Sequence, residues 1–173
     1  MSDSKYDSLR LEKQLCFPLY AASRETIKLY RPHLDELNLT YTQYIAMMLL
    51  WEYKAMTVKE IGSHLYLDSG TLTPLLKKLE TKGIINRIRS TKDERNLNVS
   101  LTDEGRALQD KAAGIPMELG KCNPLSLEET VTLYHLLYKM LGRDGASQPD
   151  WAFLECDKDC PVSCFKKSED NEA

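Results

Sequence analysis

Apolar positions recur every three or four residues along most of this chain, and the rhythm changes to simple alternation at one place. From Leu9 to Tyr30 the side chains of Leu11, Leu15, Leu19, Ala22 and Tyr30 mark a helical face. Pro18 interrupts it. A proline is tolerated in a first turn but not in a helix interior, so a helix is expected to start anew near Phe17 or to kink there. Arg31-Pro32 reads as a stop or a second restart. Leu39 to Tyr53 predicts a helix capped by Thr40, apolar nearly all round and therefore buried. Thr57-x-x-Glu60 is a capping box that opens a short helix to about Leu65. Asp68-Ser69-Gly70-Thr71 offers N-cap residues for a helix to Lys82, with Leu72, Leu75, Leu76 and Leu79 on one face. Pro74 lies in its first turns, and Gly83 is the expected C′ residue.

Alternation appears in Ile84–Ile88 and Leu97–Leu101, which predict a hairpin around the polar loop Arg89–Asn96. Thr102 restarts a helix that runs through Ala113. Gly114, Pro116 and Gly120 loosen the stretch that follows. Ser126-x-x-Glu129 is another capping box. It opens a helix with Leu133, Leu136, Leu137, Met140 and Leu141 on its apolar side, ended by Gly142 to Gly145. The fold class is thus mainly α with a small β-hairpin.

The length of 173 residues suits one ordinary domain with a tail. The longest purely apolar run, Ile45–Trp51, falls far short of the roughly 20 residues that span a bilayer, so no membrane contact is expected. Residues 1–10 carry no signal-peptide pattern, which makes the cytoplasm the expected compartment. Net charge is −3, unevenly placed. The tail 144–173 has eight acids and three lysines, and its composition predicts a mobile segment. Residues 54–95 hold nine bases against five acids, which points to a nucleic-acid contact in the middle of the chain.

Helix, short turn, helix and basic hairpin together make the layout of a winged helix-turn-helix, whose second helix enters the major groove of double-stranded DNA. Ser69, Thr71 and Thr73 fall at the start of that helix, where hydroxyls and N–H groups can meet phosphates or base edges. Lys77 and Lys78 follow one turn later, and Arg87, Arg89, Lys92 and Arg95 populate the hairpin. Any one of these residues reads as solvated surface; the ordered set points to DNA.

The run Asp93-Glu94-Arg95-Asn96-Leu97-Asn98-Val99-Ser100-Leu101-Thr102-Asp103-Glu104-Gly105 resembles the wing signature of the MarR family of bacterial repressors. Tyr66 to Glu80, and Leu15-Cys16-Phe17-Pro18-Leu19-Tyr20-Ala21-Ala22-Ser23-Arg24, resemble more narrowly the organic hydroperoxide resistance regulators of that family. The likeness covers about residues 5–142. It implies a MarR-like domain over 1–143, with dimerisation helices at 5–32 and 103–141 and a winged DNA-binding region at 39–101. It implies a homodimer on a pseudo-palindromic operator, with Asp93 pairing with Arg95 to support the wing. It also implies a repressor that senses an organic hydroperoxide through Cys16 and lets go of DNA on oxidation. Tyr30 and Tyr41 match the tyrosines that hydrogen-bond the sensor thiol, although from the residues alone they read equally as core-edge aromatics.

Cys16 lies two residues before Pro18, hence at or near a helix N-terminus, where free N–H groups favour a thiolate. The plain alternative is a small buried hydrophobe. Cys122 is the candidate resolving cysteine that the resemblance implies, with a low-molecular-weight thiol as the resemblance's other route; from the residues alone it reads equally as an incidental cysteine in a linker. Cys156, Cys160 and Cys164 recur every four residues in the tail, a spacing unlike the usual Cys-x-x-Cys metal ligands. A metal or iron–sulfur sensor there, an accessory redox role and incidental tail cysteines all stay open. No catalytic constellation and no cofactor motif appear. Two further functional readings stay open: release of DNA by a small phenolic-type ligand, and a thiol peroxidase turning over at Cys16.

Overall fold

The computed structural model describes residues 5–89, 97–143 and 149. Two 3-10 turns, Asp7–Leu9 and Leu11–Lys13, precede helix α1 (Cys16–Glu36). There follow α2 (Tyr41–Tyr53), β1 (Ala55–Thr57), α3 (Val58–Leu65), α4 (Ser69–Thr81), β2 (Ile85–Arg89), β3 (Leu97–Leu101), α5 (Asp103–Ala112), α6 (Ile115–Gly120) and α7 (Leu127–Met140). No helix among the described residues is long and apolar enough to cross a membrane. The chain groups into two compact units. One is Tyr30–Ala113; the other comprises the described residues of 1–29 and 114–173.

Tyr30–Ala113 holds most of the core. Leu72, Leu76 and Leu79 of α4 are at most 1 % exposed, and Met47, Leu50, Ile61 and Val99 are fully shut in. A buried aliphatic side chain of this size contributes about 1.5–3 kcal/mol, so these positions dominate the unit's stability. The sheet is antiparallel in the order β1-β3-β2. Arg87 sits opposite Val99 and Ala55 opposite Ser100. Three side-chain caps set helix starts as the sequence predicts. Thr40 and Gln43 close a capping box on α2, Thr57 and Glu60 one on α3, and Asp68 caps α4. Gly83 takes φ +73° just past α4, the left-handed turn a C′ glycine supplies without strain. Thr102 then fastens the start of α5. Its N–H donates to Ile84 O at 3.2 Å, its hydroxyl donates to Gly83 O at 2.7 Å, and that hydroxyl oxygen accepts the Gly105 N–H at 3.0 Å. Trp51 Nε1 donates to Gly105 O at 2.8 Å, and on the other side the Ile84 carbonyl lies so close that a Cβ at Gly105 has no room.

The other unit leaves most of its large apolar side chains exposed, although Ile115 of α6 is buried. No residue of α7 is buried, and Leu133, Leu136 and Met140 stand at 41 %, 54 % and 59 % exposure. Leu9, Leu11, Leu15 and Tyr20 are likewise exposed. The loop before α7 is tied down by Asn123, whose side chain donates to Thr130 Oγ1 at 2.8 Å and accepts from the Leu125 N–H at 3.2 Å.

Four expectations need correction. Arg31-Pro32 does not stop or restart a helix; α1 runs through both to Glu36. Pro32 lies on an exposed face, so solvent can reach the Lys28 carbonyl that its missing N–H leaves unserved. The stretch from Gly114 to Gly120 is not loose but forms α6, with Pro116 in the first turn, where proline is tolerated. Strand β1 was not predicted; three residues carry no readable period, and its partner β3 lies about forty residues away. Helix α2 is not apolar-buried all round, because Met48 and Tyr53 face solvent.

Candidate nucleic-acid interface and thiol site

The helix-turn-helix lies wholly within Tyr30–Ala113. Helix α3 is followed by Tyr66, which takes φ +54°, and α4 begins three residues later. The buried leucines of α4 turn its other face outward, so Ser69, Thr71, Thr73, Lys77 and Lys78 are all exposed along one helix. Asp68 Oδ1 accepts the Thr71 N–H at 2.9 Å, and Oδ2 accepts the Thr71 hydroxyl at 3.0 Å. These two bonds hold the Asp68 carboxyl below its ordinary range. Both donors of Thr71 are therefore engaged within the protein. Arg87 is engaged too: Glu80 Oε2 accepts from its Nη2 at 2.6 Å and its Nε at 2.9 Å. The pair ties β2 to α4 and leaves the Arg87 side chain only 18 % exposed. The backbone of Arg89 closes β2, while Lys92, Asp93 and Arg95 lie outside the described residues.

Cys16 is the first residue of α1 and is exposed. The helix end differs from the expected one in a detail. The Phe17 N–H is donated to Gln14 O at 3.3 Å, and Pro18 has none, so two of the three amides there offer nothing to a thiolate. Cys122 follows α6, half-buried, its N–H donated to Leu119 O at 3.0 Å. Neither cysteine is in a disulfide. Cys156, Cys160 and Cys164 lie outside the described residues; among those described, no cluster of His, Cys, Asp or Glu could hold a metal. In the winged unit Tyr30 and Tyr41 meet edge to face at 5.0 Å, and Tyr44 lies 5.9 Å from Tyr30. Burial raises the pKa of both Tyr30 and Tyr41, so their hydroxyls stay protonated donors through the neutral range. Neither hydroxyl has a hydrogen-bond partner among the described residues.

Residues 28–112 match the family model of the transcriptional regulators SarA/Rot. The organic hydroperoxide resistance transcriptional regulator of Bacillus subtilis is 50 % identical over 139 residues, covering 80 % of this chain and 95 % of that one. The chain belongs to the MarR family of DNA-binding transcriptional regulators. Its fold is that of solved members. Reduced AbfR bound to DNA is 36 % identical, with a TM-score of 0.66 over 80 % of this chain and 97 % of that one. The disulfide-formed state of AbfR, a Staphylococcus epidermidis protein, is 35 % identical, with a TM-score of 0.57 over 82 % and 97 %.

Beside the outer face of α4 this MarR-family regulator has a groove of about 800 Å³. Thr40, Thr42 and Gln43 line it from the start of α2, Lys77 and Lys78 from α4, and Lys82 from the residue just past α4. Of these, the sequence reading assigned only Lys77 and Lys78 to DNA. Lys82 counted only as one of the nine bases of 54–95, and Gln43 was not singled out. Their meeting across 39 positions of sequence is tertiary and has no local signal.

Proposed function

We propose that this regulator is a homodimeric repressor that binds a pseudo-palindromic operator through α4 and the wing, and lets go when an organic hydroperoxide oxidises Cys16. The observation that carries the reading is an exposed thiol at the first residue of α1, in a chain half identical to an organic hydroperoxide resistance regulator. The Cys16 thiolate attacks the outer peroxide oxygen and the O–O bond breaks. The alcohol leaves, taking a proton, and Cys16 becomes a sulfenic acid. Cys122 Sγ, or a low-molecular-weight thiol, then displaces hydroxide as water to form a disulfide. AbfR, which has a disulfide-formed state, supports that second step.

Tyr30 and Tyr41, with protonated and unspent hydroxyls, serve as the hydrogen-bond partners of the reduced thiol. Oxidation removes the charge they favour and adds bulk. A few kcal/mol of differential DNA binding between the two states suffices for release. Ser69, Thr73, Lys77 and Lys78 form the reading face of α4, and Arg89, Lys92 and Arg95 the basic wing supported by Asp93. Thr71 and Arg87 act at one remove, through the Asp68 cap and the Glu80 pair. The exposed apolar faces of the N-terminal segment and α7 supply the dimer contact.

The test is fluorescence anisotropy on a duplex from the region upstream of its own gene, at fixed salt. Cys16→Ser is compared with wild type before and after one equivalent of cumene hydroperoxide. Wild type releases the duplex and Cys16→Ser stays bound. Retention by both overturns the thiol switch. Cys122→Ser then separates the two resolving routes.

A further inference from the structure

We propose that the groove between the start of α2 and the outer face of α4 seats backbone phosphates of the bound DNA, with the Gln43 amide and the Lys82 ammonium as donors. This rests on the DNA-reading role given to α4 above. The first observation is an exception within the chain. Among the described residues three helices start with a capping box; α3 closes its box with Glu60 and α7 with Glu129, but α2 uses Gln43. A carboxylate suits the positive end of a helix better than an amide does, so capping alone does not account for the glutamine.

The second observation is where that amide points. Gln43 Oε1 accepts the Thr40 N–H at 3.1 Å and the Lys82 ammonium at 3.1 Å. Both neighbours are donors, so chemistry fixes which end of the amide faces them. Nε2 is turned the other way, with two N–H groups and no partner among the described residues, on a side chain of a residue only 4 % exposed. No unpaired polar side-chain atom among the described residues is cut off from solvent, so Nε2 keeps a path to solvent, and Gln43 is one of the residues that line the groove. Lys82 Nζ also donates to Asn38 O, which leaves it one N–H to give. The N–H groups of Tyr41 and Thr42, at the positive end of α2, are likewise unspent among the described residues.

Among the described residues, no carboxylate lines the groove. A wall rich in donors and cations fits an anion. Burial, together with the neighbouring Lys78, holds Lys82 below the usual lysine range, the response of an ammonium short of counter-charge. Size and position select the source. A volume of about 800 Å³ belongs to the class that takes extended ligands rather than a single inorganic ion. Lys77 and Lys78 belong both to the groove and to the exposed face of α4, so a strand in front of α4 continues into it. At the start of α4 itself, the Asp68 carboxylate takes the N–H and the hydroxyl of Thr71, and its negative charge opposes a phosphate there.

Gln43→Glu keeps the capping oxygen and exchanges the amide donors for a second carboxylate oxygen. Anisotropy is measured with the upstream duplex and a random-sequence duplex of equal length, from about 50 to 200 mM salt. Wild-type preference for the upstream duplex checks DNA reading independently of the groove. The variant is expected to melt no lower than wild type and to lose about ten- to a hundredfold in affinity for both duplexes. The slope of log affinity against log salt should shrink by about one unit, the mark of a lost phosphate contact. Unchanged affinity and slope overturn the proposal. So does a rise in wild-type Tm with inorganic phosphate over chloride at equal ionic strength, if the variant binds DNA as wild type does; free phosphate is then the ligand. If Gln43→Glu melts lower, Thr42→Glu takes its place, because an acid in the first turn of a helix is well tolerated. A methylphosphonate scan of the upstream duplex gives a reading on unaltered protein. At least one neutral substitution should weaken wild type and leave the acidic variant unaffected, and a scan with no such position overturns the proposal.

Discussion

Helices α4 and α7 carry leucines at similar helical spacing and treat them in opposite ways. On α4, Leu72, Leu76 and Leu79 are at most 1 % exposed, closed in by α2, α3 and the sheet. On α7, Leu133 and Leu136 stand about half exposed, and no residue of the helix is buried. An apolar stripe says that a face seeks cover; it does not say whose atoms provide it. The stripe of α4 is covered by its own chain. That of α7 needs another surface, which in the proposed dimer is a second copy.

The largest effect expected is at α4. Leu76→Ala should cost about 2–5 kcal/mol in chemical denaturation, since both transfer and cavity terms apply at a closed site. Leu136→Ala should cost far less at high dilution, where there is no partner surface to lose. Next comes assembly. Leu136→Asp should weaken self-association by about a hundredfold or more in sedimentation equilibrium, the loss typical of a central apolar anchor. Ile88→Asp, on the 64 % exposed Ile88 of β2, should leave the mass unchanged. An unaltered mass for Leu136→Asp would break the comparison between the two helices.

A smaller effect sharpens it from the closed side. Trp51→Phe removes the indole bond to Gly105 O and should cost about 1 kcal/mol, read as a lower denaturation midpoint. The smallest concerns pH. Burial, with Tyr30 and Tyr41 nearby, pushes the Tyr44 phenol up to about 12. The folded state therefore favours the neutral phenol. That preference is fully present below the ordinary value of 10 and fades as pH rises from there towards about 12. Denaturation midpoints in that window should fall in wild type and fall less in Tyr44→Phe.

Local features were legible in the sequence because their causes are local. The Thr57–Glu60 box, the Asp68 cap, the glycine after α4 and the alternating hairpin all lie within a few residues of what they control. Cys16 at the start of α1 was readable from Pro18 for the same reason. Strand β1 was not legible, because it exists by pairing with β3 and carries no pattern of its own. The roles of Thr71 and Arg87 were read as DNA-facing from residue type, and only the folded chain reveals Asp68 taking both donors of Thr71 and Glu80 taking two of the five of Arg87. Gln43 and Lys82 were invisible as a pair until α2 and α4 were packed together.

One junction in the winged unit carries a mechanical consequence. Thr102 grips Gly83 and Ile84, while Trp51 grips Gly105, so α2, the end of α4, the base of the wing and α5 are clamped at a single point. A body fastened in this way behaves like a tool head: it can be turned or shifted, but its working edges keep their mutual angle. In the proposed dimer, a signal that reaches such a body is transmitted as displacement, and the quantity left for it to alter is the distance between one reading head and the next.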